Sequence, residues 1–380
     1  MSETMIRYYL VGGAVRDLLW GNLPHECDYA FSGGIDAFLQ VNPSVCKVGR
    51  RAIHIFLLNG QEYMPLRGDS ITVDLLHRDL TINALAVDED GVLHAHPQAF
   101  DDLRHRVLRA ASAHAFVDDP ARIFRLARFA AVYPECSLDE DTVRQAAHVA
   151  ATEGFAALPA ERVGRELLKA LHAPQPGRFL DVLHTCGALR HWFEELNGAA
   201  AIPAGPIAYH HHHVLGHTVE VMNRTAGDPL AAWMALCHDL GKMLTDSEQW
   251  PHHYGHELLG ETSARALGER LAMPQHYRQA GILAARQHMK AGMYDSLRLG
   301  TRCDLLTEVH KAHLHDAFWR LAEADSGRSL RPRVDADLAC ILAVRLPQTW
   351  HNRGDASGRH LRELRCHALA EARDAKAEHS

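Results

Sequence analysis

Two carboxylates stand two positions apart in Asn-Leu-Pro-His-Glu-Cys-Asp-Tyr-Ala-Phe, at Glu26 and Asp28. Side chains alternate along a strand, so positions i and i+2 share a face. Acids paired this way beside a glycine-rich turn suit Mg2+ held against phosphates. Gly12-Gly13-Ala14-Val15-Arg16-Asp17 supplies such a turn. Its glycines let the backbone approach phosphate oxygens, while Arg16 and a helix N-terminus add positive charge. A tight turn ahead of a helix accounts for the same glycines. Further on, Arg78-Asp79 precedes an apolar helix, and Asp119 precedes Arg122, Arg125 and Arg128. On a helix the i, i+3, i+6 spacing forms a slowly rotating stripe of guanidinium groups. Taken alone, these are also the marks of a surface ion pair and a solvated face.

A second set is built on histidine, of which the chain has 29. His217, the adjacent pair His238-Asp239, His256 and His288 each lie on or beside an apolar helical stretch. Neighbouring side chains on a helix diverge by about 100°, yet His238 and Asp239 can reach one metal set at the helix flank. Mixed imidazole and carboxylate ligands suit Ni2+, Co2+ or Mn2+ better than Mg2+. Such an ion would activate water against a phosphate ester. Any one of these histidines by itself reads as an ordinary core or surface residue.

The elements that must position these groups fall into two kinds. Residues 6–12 form a buried strand, the glycines turn the chain, and Ala14 to Trp20 form a helix. Strands follow at Asp28–Phe31, Ala52–Leu58 and Glu62–Leu66, with Asn59-Gly60 as a hairpin turn, and the strand-rich part continues at Val92–His94. From about Ala113 the pattern is helical. Asp119-Pro120 and Pro159 open helices, and residues 200–210, with Pro203, Gly205 and Pro206, form a linker.

At 380 residues the chain exceeds one ordinary core, and its 47% hydrophobic and 23% charged composition is that of a globular protein. No apolar run approaches the roughly 18 residues needed to span a membrane. Eight scattered cysteines without a CxxC pair read as reduced thiols in a cytoplasm. A net charge of −7 supplies no global attraction for nucleic acid. An RNA-binding surface must therefore be local, and the arginines crowded into residues 104–128 are the candidate.

In this order and spacing the first set resembles the bacterial tRNA nucleotidyltransferase (CCA-adding enzyme) family of the polymerase-β-like superfamily. The residues that carry the resemblance are Gly12 to Asp17, Glu26-x-Asp28, Arg78 to Ala84, Asp119-x-x-Arg122-x-x-Arg125-x-x-Arg128-Phe129 and Glu161-Arg162-Val163. The second set is similar to the HD phosphohydrolase superfamily, with its His…His-Asp…Asp hallmark. The two together imply an α+β chain: a nucleotidyltransferase α/β head over residues 1–105, a helical neck and nucleotide-selecting, RNA-binding region over 106–203, a helical HD domain over 204–330 and a helical tail over 331–380.

The resemblance further implies Mg2+ on the catalytic carboxylates Glu26 and Asp28, with Glu62 as a third carboxylate. Gly13 and Arg16 would cradle a triphosphate, and Arg78, Asp119, Arg122, Arg125 and Arg128 would hold CTP or ATP. Asp119 and Arg122 would read the base edge in place of a template, and the acceptor would be the 3′ end of tRNA. His217, His238, Asp239 and Asp325 would bind the HD metal, and His256 and His288 match positions that complete or flank that site in some members. Lys242 follows the common His-Asp-Leu-Gly-Lys form without an assigned role.

Two departures stand out. Glu26 occupies a position that is normally Asp, and Asp118 one that is normally Glu. The longer Glu26 arm displaces its carboxylate by about 1.5 Å on a fixed backbone, which predicts a slower metal site. Only Gly68–Leu76 bridges the gap where the family carries a long flexible loop, a shortening that marks enzymes adding CC alone. Three readings follow: full CCA addition coupled to an HD phosphatase or phosphodiesterase, CC-only addition, and an HD enzyme carrying a non-catalytic RNA-binding head.

Overall fold

The computed structural model describes residues 6–48, 54–206 and 212–377. Ala52, the expected start of a strand, and residues 207–211 at the end of the expected linker lie outside these. The chain divides into two compact units, residues 1–162 with 181–188, and residues 163–180 with 189–380.

The first unit opens on β1 (Tyr8–Val11), α1 (Gly13–Leu19), β2 (Asp28–Phe31), α2 (Ile35–Val41), β3 (Cys46–Val48), β4 (Ile55–Leu58) and β5 (Gln61–Pro65). Next come α3 (Ile71–Leu76), a 3₁₀ turn (Thr81–Asn83), β6 (Leu85–Asp88), β7 (Leu93–Ala95) and α4 (Ala99–His105). One seven-stranded sheet results, in the order β3-β4-β5-β2-β1-β6-β7. All its pairings are antiparallel except β2 with β5, which is parallel. The sequence reading found β1, β2, β4, β5 and β7 but not β3 or α2, and the apolar helix expected after Arg78-Asp79 is instead the 3₁₀ turn followed by β6, which pairs with β1.

β1 alternates, burying Tyr9 and Val11. These pack with Ala30, Ala84 and Ala86 and with Ile71 and Leu75 of α3. A second cluster stacks Phe31 on Phe38, ring centroids 3.9 Å apart, with Phe56 alongside. The short bridge after β5 is therefore a folded element. Ser70 caps α3 by accepting from Val73 N, and Ile71 and Leu75 anchor it in the core. The rest of the unit is mainly helical: α5 (Ala115–Asp118), α6 (Arg122–Val132), α7 (Glu140–Ala150) and α8 (Glu153–Ala156), with the two-stranded parallel pair β8 (Val107–Leu108) and β9 (Ser137–Leu138).

Helices α9 (Ala160–Leu171), α10 (Arg178–Thr185) and α11 (Leu189–Trp192) lead on to α12 (Val214–Arg224). The centre of the second unit is α13 (Pro229–Cys237), whose sequence Pro-Leu-Ala-Ala-Trp-Met-Ala-Leu-Cys has no polar face. Such a helix is stable only when surrounded, and Ala231 to Cys237 are all buried. Asp228 caps it, accepting from Leu230 N and Ala231 N, and Pro229 starts it. Around it pack α12, α14 (His256–Arg270), α15 (Gln275–Gly292) and α17 (His315–Ser326). α16 (Leu299–Lys311), α18 (Arg331–Ala343) and α19 (Asp355–Ala377) pack together beyond them. Among the described residues no helix is long and apolar enough to cross a membrane.

Candidate functional sites

α13 ends at Cys237. His238 is its C-cap and Asp239 the N-cap of a 3₁₀ turn, Leu240–Leu244. The His-Asp pair thus sits at a helix break, not within a helix as its apolar flank suggests. The turn bends onto the start of α14 so closely that a Cβ on Gly241 would lie 1.9 Å from the His256 carbonyl oxygen. Only glycine fits there, and this approach brings Asp239 beside His256.

Six residues converge: His217 from α12, His238 and Asp239 from the break, His256 from the first position of α14, His288 from α15 and Asp325 from α17. All are buried except Asp325, whose side chain is 19% exposed. They form two triads. In the first, His217 Nε2 lies 3.0 Å from Asp325 Oδ1 and 3.3 Å from His238 Nε2. In the second, His256 Nε2 and His288 Nε2 lie 3.0 Å apart, and each is 3.4 Å from Asp239 Oδ1. The other oxygen of Asp239 faces the first triad, 3.2 Å from His238 Nε2 and 3.6 Å from His217 Nε2. One carboxylate therefore links both triads.

The imidazole orientations show what the cluster is for. The Nδ1 atoms of His238, His256 and His288 lie 2.7, 2.6 and 3.0 Å from the carbonyl oxygens of Ala235, His253 and Ala285. Each Nδ1–H donates to its carbonyl, and the Nε2 lone pairs are left pointing at one another. Two such nitrogens 3.0 Å apart repel unless a proton, or a metal ion bound by both, engages their lone pairs. The buried Asp239 oxygens face these nitrogens, and Oδ2 also pairs with Lys242 Nζ at 2.6 Å. Ligand atoms about 3.0–3.4 Å apart are what metal bonds of about 2.1 Å demand. The residues present fit metal.

The electrostatics follow from the same packing. Burial disfavours the charged form of Asp239, but His238 and Lys242 outweigh it and hold the carboxyl well below its usual range. Burial likewise opposes ionisation of Asp325, and the bond to His217 and the charge of His238 reverse the balance. His238 is disfavoured by burial yet raised to about 8 by Asp239 and Asp325. His288, where burial dominates, is lowered.

In the first unit, Asp28 opens β2 and pairs in register with Val11 of β1 and Glu62 of β5. Asp28 and Glu62, directly opposite on parallel strands, share a face, and Val11 leads straight into the Gly12-Gly13 turn. Gly12 takes φ +74°, a left-handed conformation that favours glycine. Glu26 is exposed and precedes the strand. The β1–β2 ladder ends at Val11–Asp28, where β1 turns into α1, so the alternation expected to align Glu26 with Asp28 does not extend to it.

The cationic residues are mostly engaged. Arg16 is buried, donates to Asp17 Oδ1 at 2.9 and 2.7 Å and to Asn83 Oδ1 at 2.5 Å, and lies over the Tyr133 ring. A Cβ on Gly13 would meet Arg16 Nη2 at 3.3 Å. Arg78 donates twice to Asp74 Oδ2, at 2.9 and 2.7 Å, and a Cβ on Gly12 would lie 3.8 Å from its Nη1. Asp119 accepts from Arg162 Nη2 at 2.7 Å.

The expected guanidinium stripe is not a single open face. Arg122 is buried and donates to the carbonyls of His77 (2.7 Å), Arg78 (3.2 Å) and Ala115 (3.0 Å). Arg125 reaches Asp79 Oδ2 at 2.7 Å from Nε, and Arg128 lies over Phe129.

The chain is 34% identical over 96% of its length to the Multifunctional CCA protein of Nitrosococcus oceani, of which the match covers 98%. The chain belongs to the multifunctional CCA protein family. CCA proteins of Xanthomonas campestris and Xanthomonas euvesicatoria are 33% and 35% identical, covering 97% and 98% of this chain and 99% and 93% of theirs. Residues 138–199 match the family described as the probable RNA and SrmB-binding site of polymerase A. The fold is that of the Thermotoga maritima CCA-adding enzyme complexed with tRNA, at 18% identity and a TM-score of 0.65 over 97% of this chain and 91% of that one. A CCA-adding enzyme with CTP gives 0.62 at 16% identity, over 97% and 88%. CCA-adding enzymes are metal-dependent tRNA nucleotidyltransferases, and this family member carries the α+β architecture expected for them.

The CCA-protein motifs also contain residues that motif reading passed over. Asp79 is buried and accepts from Leu80 N, Asn83 Nδ2 and Arg125. Through Asn83 it joins Arg16 to Arg125. Asp74 ties Arg78 to the main chain by accepting from Arg67 N at 3.0 Å. Their signal was present: acids set among Leu, Ile and Val are buried only when paired. Burial would raise the Asp79 carboxyl, but Arg125 overcomes it and holds the group far below the usual range. The unfolded chain therefore takes up this proton first as pH falls. Asp79→Asn is expected to lower unfolding free energy by about 2 kcal/mol at neutral pH. The deficit should shrink as pH drops below about 4, where the wild-type advantage is titrated away. Urea unfolding at pH 7 and pH 3 measures it.

Proposed function

We propose that this CCA protein adds C and A residues from CTP and ATP to tRNA 3′ ends, releasing pyrophosphate, and that its second unit is a metal-dependent phosphohydrolase. The observation that carries the first activity is the register of Asp28 with Glu62 beside the Gly12-Gly13 turn. Asp28 and Glu26 would hold Mg2+, with Glu62 as the third carboxylate. The ion supplies charge that activates the 3′-hydroxyl and neutralises pyrophosphate. The turn's backbone and Arg16 receive the triphosphate, and Arg78, Arg125 and Arg128 face its charge. Asp119 and Arg122, held by Arg162 and by three carbonyls, present fixed edges to the base; a selector without a template needs such rigidity. RNA would be bound by side chains within residues 138–199, and the reducing cytoplasm suits eight cysteines that form no disulfide. The proposed division is a head to residue 105, a neck and RNA-binding region to 203, an HD domain to 330 and a tail.

The phosphohydrolase reading rests on the facing Nε2 atoms and on Asp239, whose two oxygens face one triad each. His217, His238 and Asp325 would hold one Ni2+, Co2+ or Mn2+, and His256 and His288 a second, with Asp239 between them. Bound there, the metals polarise a phosphate ester and activate water. The carbonyls of Ala235, His253 and Ala285 keep the imidazoles in the binding tautomer.

A second reading of the head, addition of C residues only, is favoured by the folded bridge. α3 is capped and buried, and its Asp74 clamps Arg78, leaving the pocket little freedom to change between CTP and ATP. Labelled CTP and ATP, offered with Mg2+ to tRNA lacking its 3′ end and to tRNA ending in CC, test both. Incorporation of both nucleotides above a Glu26→Ala/Asp28→Ala control is expected. Incorporation of CTP alone selects the second reading, and incorporation of neither leaves the phosphohydrolase as the only enzyme.

A further inference from the structure

Two cationic arms of the head are joined by an unbroken line of polar contacts. Arg16 Nη1 donates to Asn83 Oδ1 at 2.5 Å, and Asn83 Nδ2 donates to Asp79 Oδ1 at 3.2 Å. On its other side Asp79 Oδ2 accepts from Arg125, 2.7 Å from Nε and 2.6 Å from Nη2. Arg16, Asn83 and Asp79 are buried, so the line is shielded from water. Its middle member ends the Thr81–Asn83 turn, which lies against the Gly12-Gly13 turn. Gly12 N donates to Leu85 O at 2.9 Å, and a Cβ on Gly12 would lie 3.9 Å from the Asn83 carbonyl oxygen. An aromatic connection runs beside the polar one. The Phe129 ring of α6 lies 5.7 Å from the Arg16 guanidinium and 5.8 Å from that of Arg125.

Asparagine is the side chain that this middle position requires. Its amide must accept from a guanidinium on one side and donate to a carboxylate on the other, so it has a single orientation. Aspartate would set two buried carboxylates face to face, leucine would leave Arg16 and Asp79 each one bond short, and serine is too short to span both gaps. Asp17 already holds Arg16 through Nε and Nη2, and Leu80 N already holds Asp79 Oδ1. Each end is thus fixed locally without Asn83, and what the amide adds is the distance between them.

We propose that Asn83 is a positioning residue for the incoming nucleotide, holding the Gly12-Gly13 turn and α6 at one spacing so that triphosphate and base are gripped together. The proposal rests on the placement above of Arg16 at the triphosphate and of Arg122, the first residue of α6, at the base. Arg122 is tied to the carbonyls of His77 and Arg78, immediately before Asp79. Residues 77–83 therefore carry the base side at one end and the triphosphate side at the other, and the Asn83–Asp79 bond fixes their span. A ligand held by two rigid subsites gains because its second end binds intramolecularly. Letting the subsites move apart forfeits that gain without weakening either one alone.

The test is equilibrium dialysis of labelled CTP and of labelled inorganic tripolyphosphate, with Mg2+ and without tRNA, on wild type, Asn83→Leu and Asn83→Ser. Both variants are expected to weaken CTP binding about tenfold and tripolyphosphate binding less than about twofold. A residue that only supports the fold lowers both affinities alike. Equal losses on the two ligands make Asn83 a local support of Arg16 and overturn the proposal, as does CTP binding that neither variant alters. Should the leucine variant not fold, as read by far-ultraviolet circular dichroism, the polar serine variant decides the same comparison. Wild type that binds no CTP, or binds CTP but not tripolyphosphate, removes the placement of the nucleotide site and the proposal with it. Wild type that binds both, beside variants that show no split, removes the proposal alone.

Discussion

Asp239→Ala is expected to abolish phosphate-ester hydrolysis, by about a thousandfold or more, while nucleotide addition to tRNA stays within about twofold of wild type. Asp239 is the one residue whose two oxygens face different triads, Oδ1 toward His256 and His288 and Oδ2 toward His238 and His217. Removing it leaves each triad short of a negative ligand. It also leaves Lys242 buried without its carboxylate, an ammonium whose other contact is the Ala204 carbonyl at 2.7 Å. Charge balance as well as ligation is therefore lost, and the metal content of purified protein should fall together with activity. Removing His217 or Asp325 should spare the second triad, and removing His256 or His288 the first. These variants are expected to lose about one equivalent of metal, and Asp239→Ala both. Elemental analysis beside hydrolysis assays reads both quantities. Full metal content in Asp239→Ala would show that the carboxylate is not the link between sites.

The two candidate centres differ in how far residue type alone reveals them. The histidine set was legible because His and Asp beside Ala, Leu and Met are conspicuous. Its division into two triads was not, because that depends on where α13 stops and on Gly241 letting the next turn touch α14. His238 and Asp239, neighbours in sequence, end on different triads for this reason. The head shows the reverse. Asp28 and Glu62 were placed correctly because strand register follows from short alternating runs and the Asn59-Gly60 turn. Glu26 was misplaced because the length of the neighbouring strand, not its own sequence, decides whether it joins the ladder.

Arginine was the least legible residue. Spacing shows Arg122, Arg125 and Arg128 on one side of a helix, and exposed charge is the ordinary expectation for such a row. The guanidinium of Arg122 is instead buried, with both Nη atoms tied to the carbonyls that follow α3 and to that of Ala115, acceptors whose location only the tertiary fold reveals. α2, β3 and β6 were missed because each is short and takes its stability from the sheet core around Phe38 and Ala86 rather than from local preference.

Asp28→Ala is expected to reduce labelled CTP incorporation into tRNA by about a thousandfold, the largest loss of any single head residue. Its place is fixed from two sides: β1 and β5 hold its backbone in register, and the Gly12-Gly13 turn begins one residue beyond its β1 partner. Any change in the position of its carboxylate's backbone must therefore move the sheet. Glu26 has a different status. It is exposed, stands outside the ladder and carries one methylene more than aspartate, so its carboxylate would reach an ion held by Asp28 on a longer and freer arm. Glu26→Ala is expected to cost about a hundredfold, and Glu26→Asp to change the rate by less than tenfold in either direction, because the lead-in to β2 can shift where the strand cannot. Incorporation rates at saturating and limiting Mg2+ separate the two roles. Loss at Asp28 should persist at high Mg2+, whereas loss at Glu26 should be partly recovered, as befits a ligand that tunes affinity rather than fixes position. Retained incorporation in Asp28→Ala would move the catalytic centre away from this strand and leave the head as an RNA-binding module.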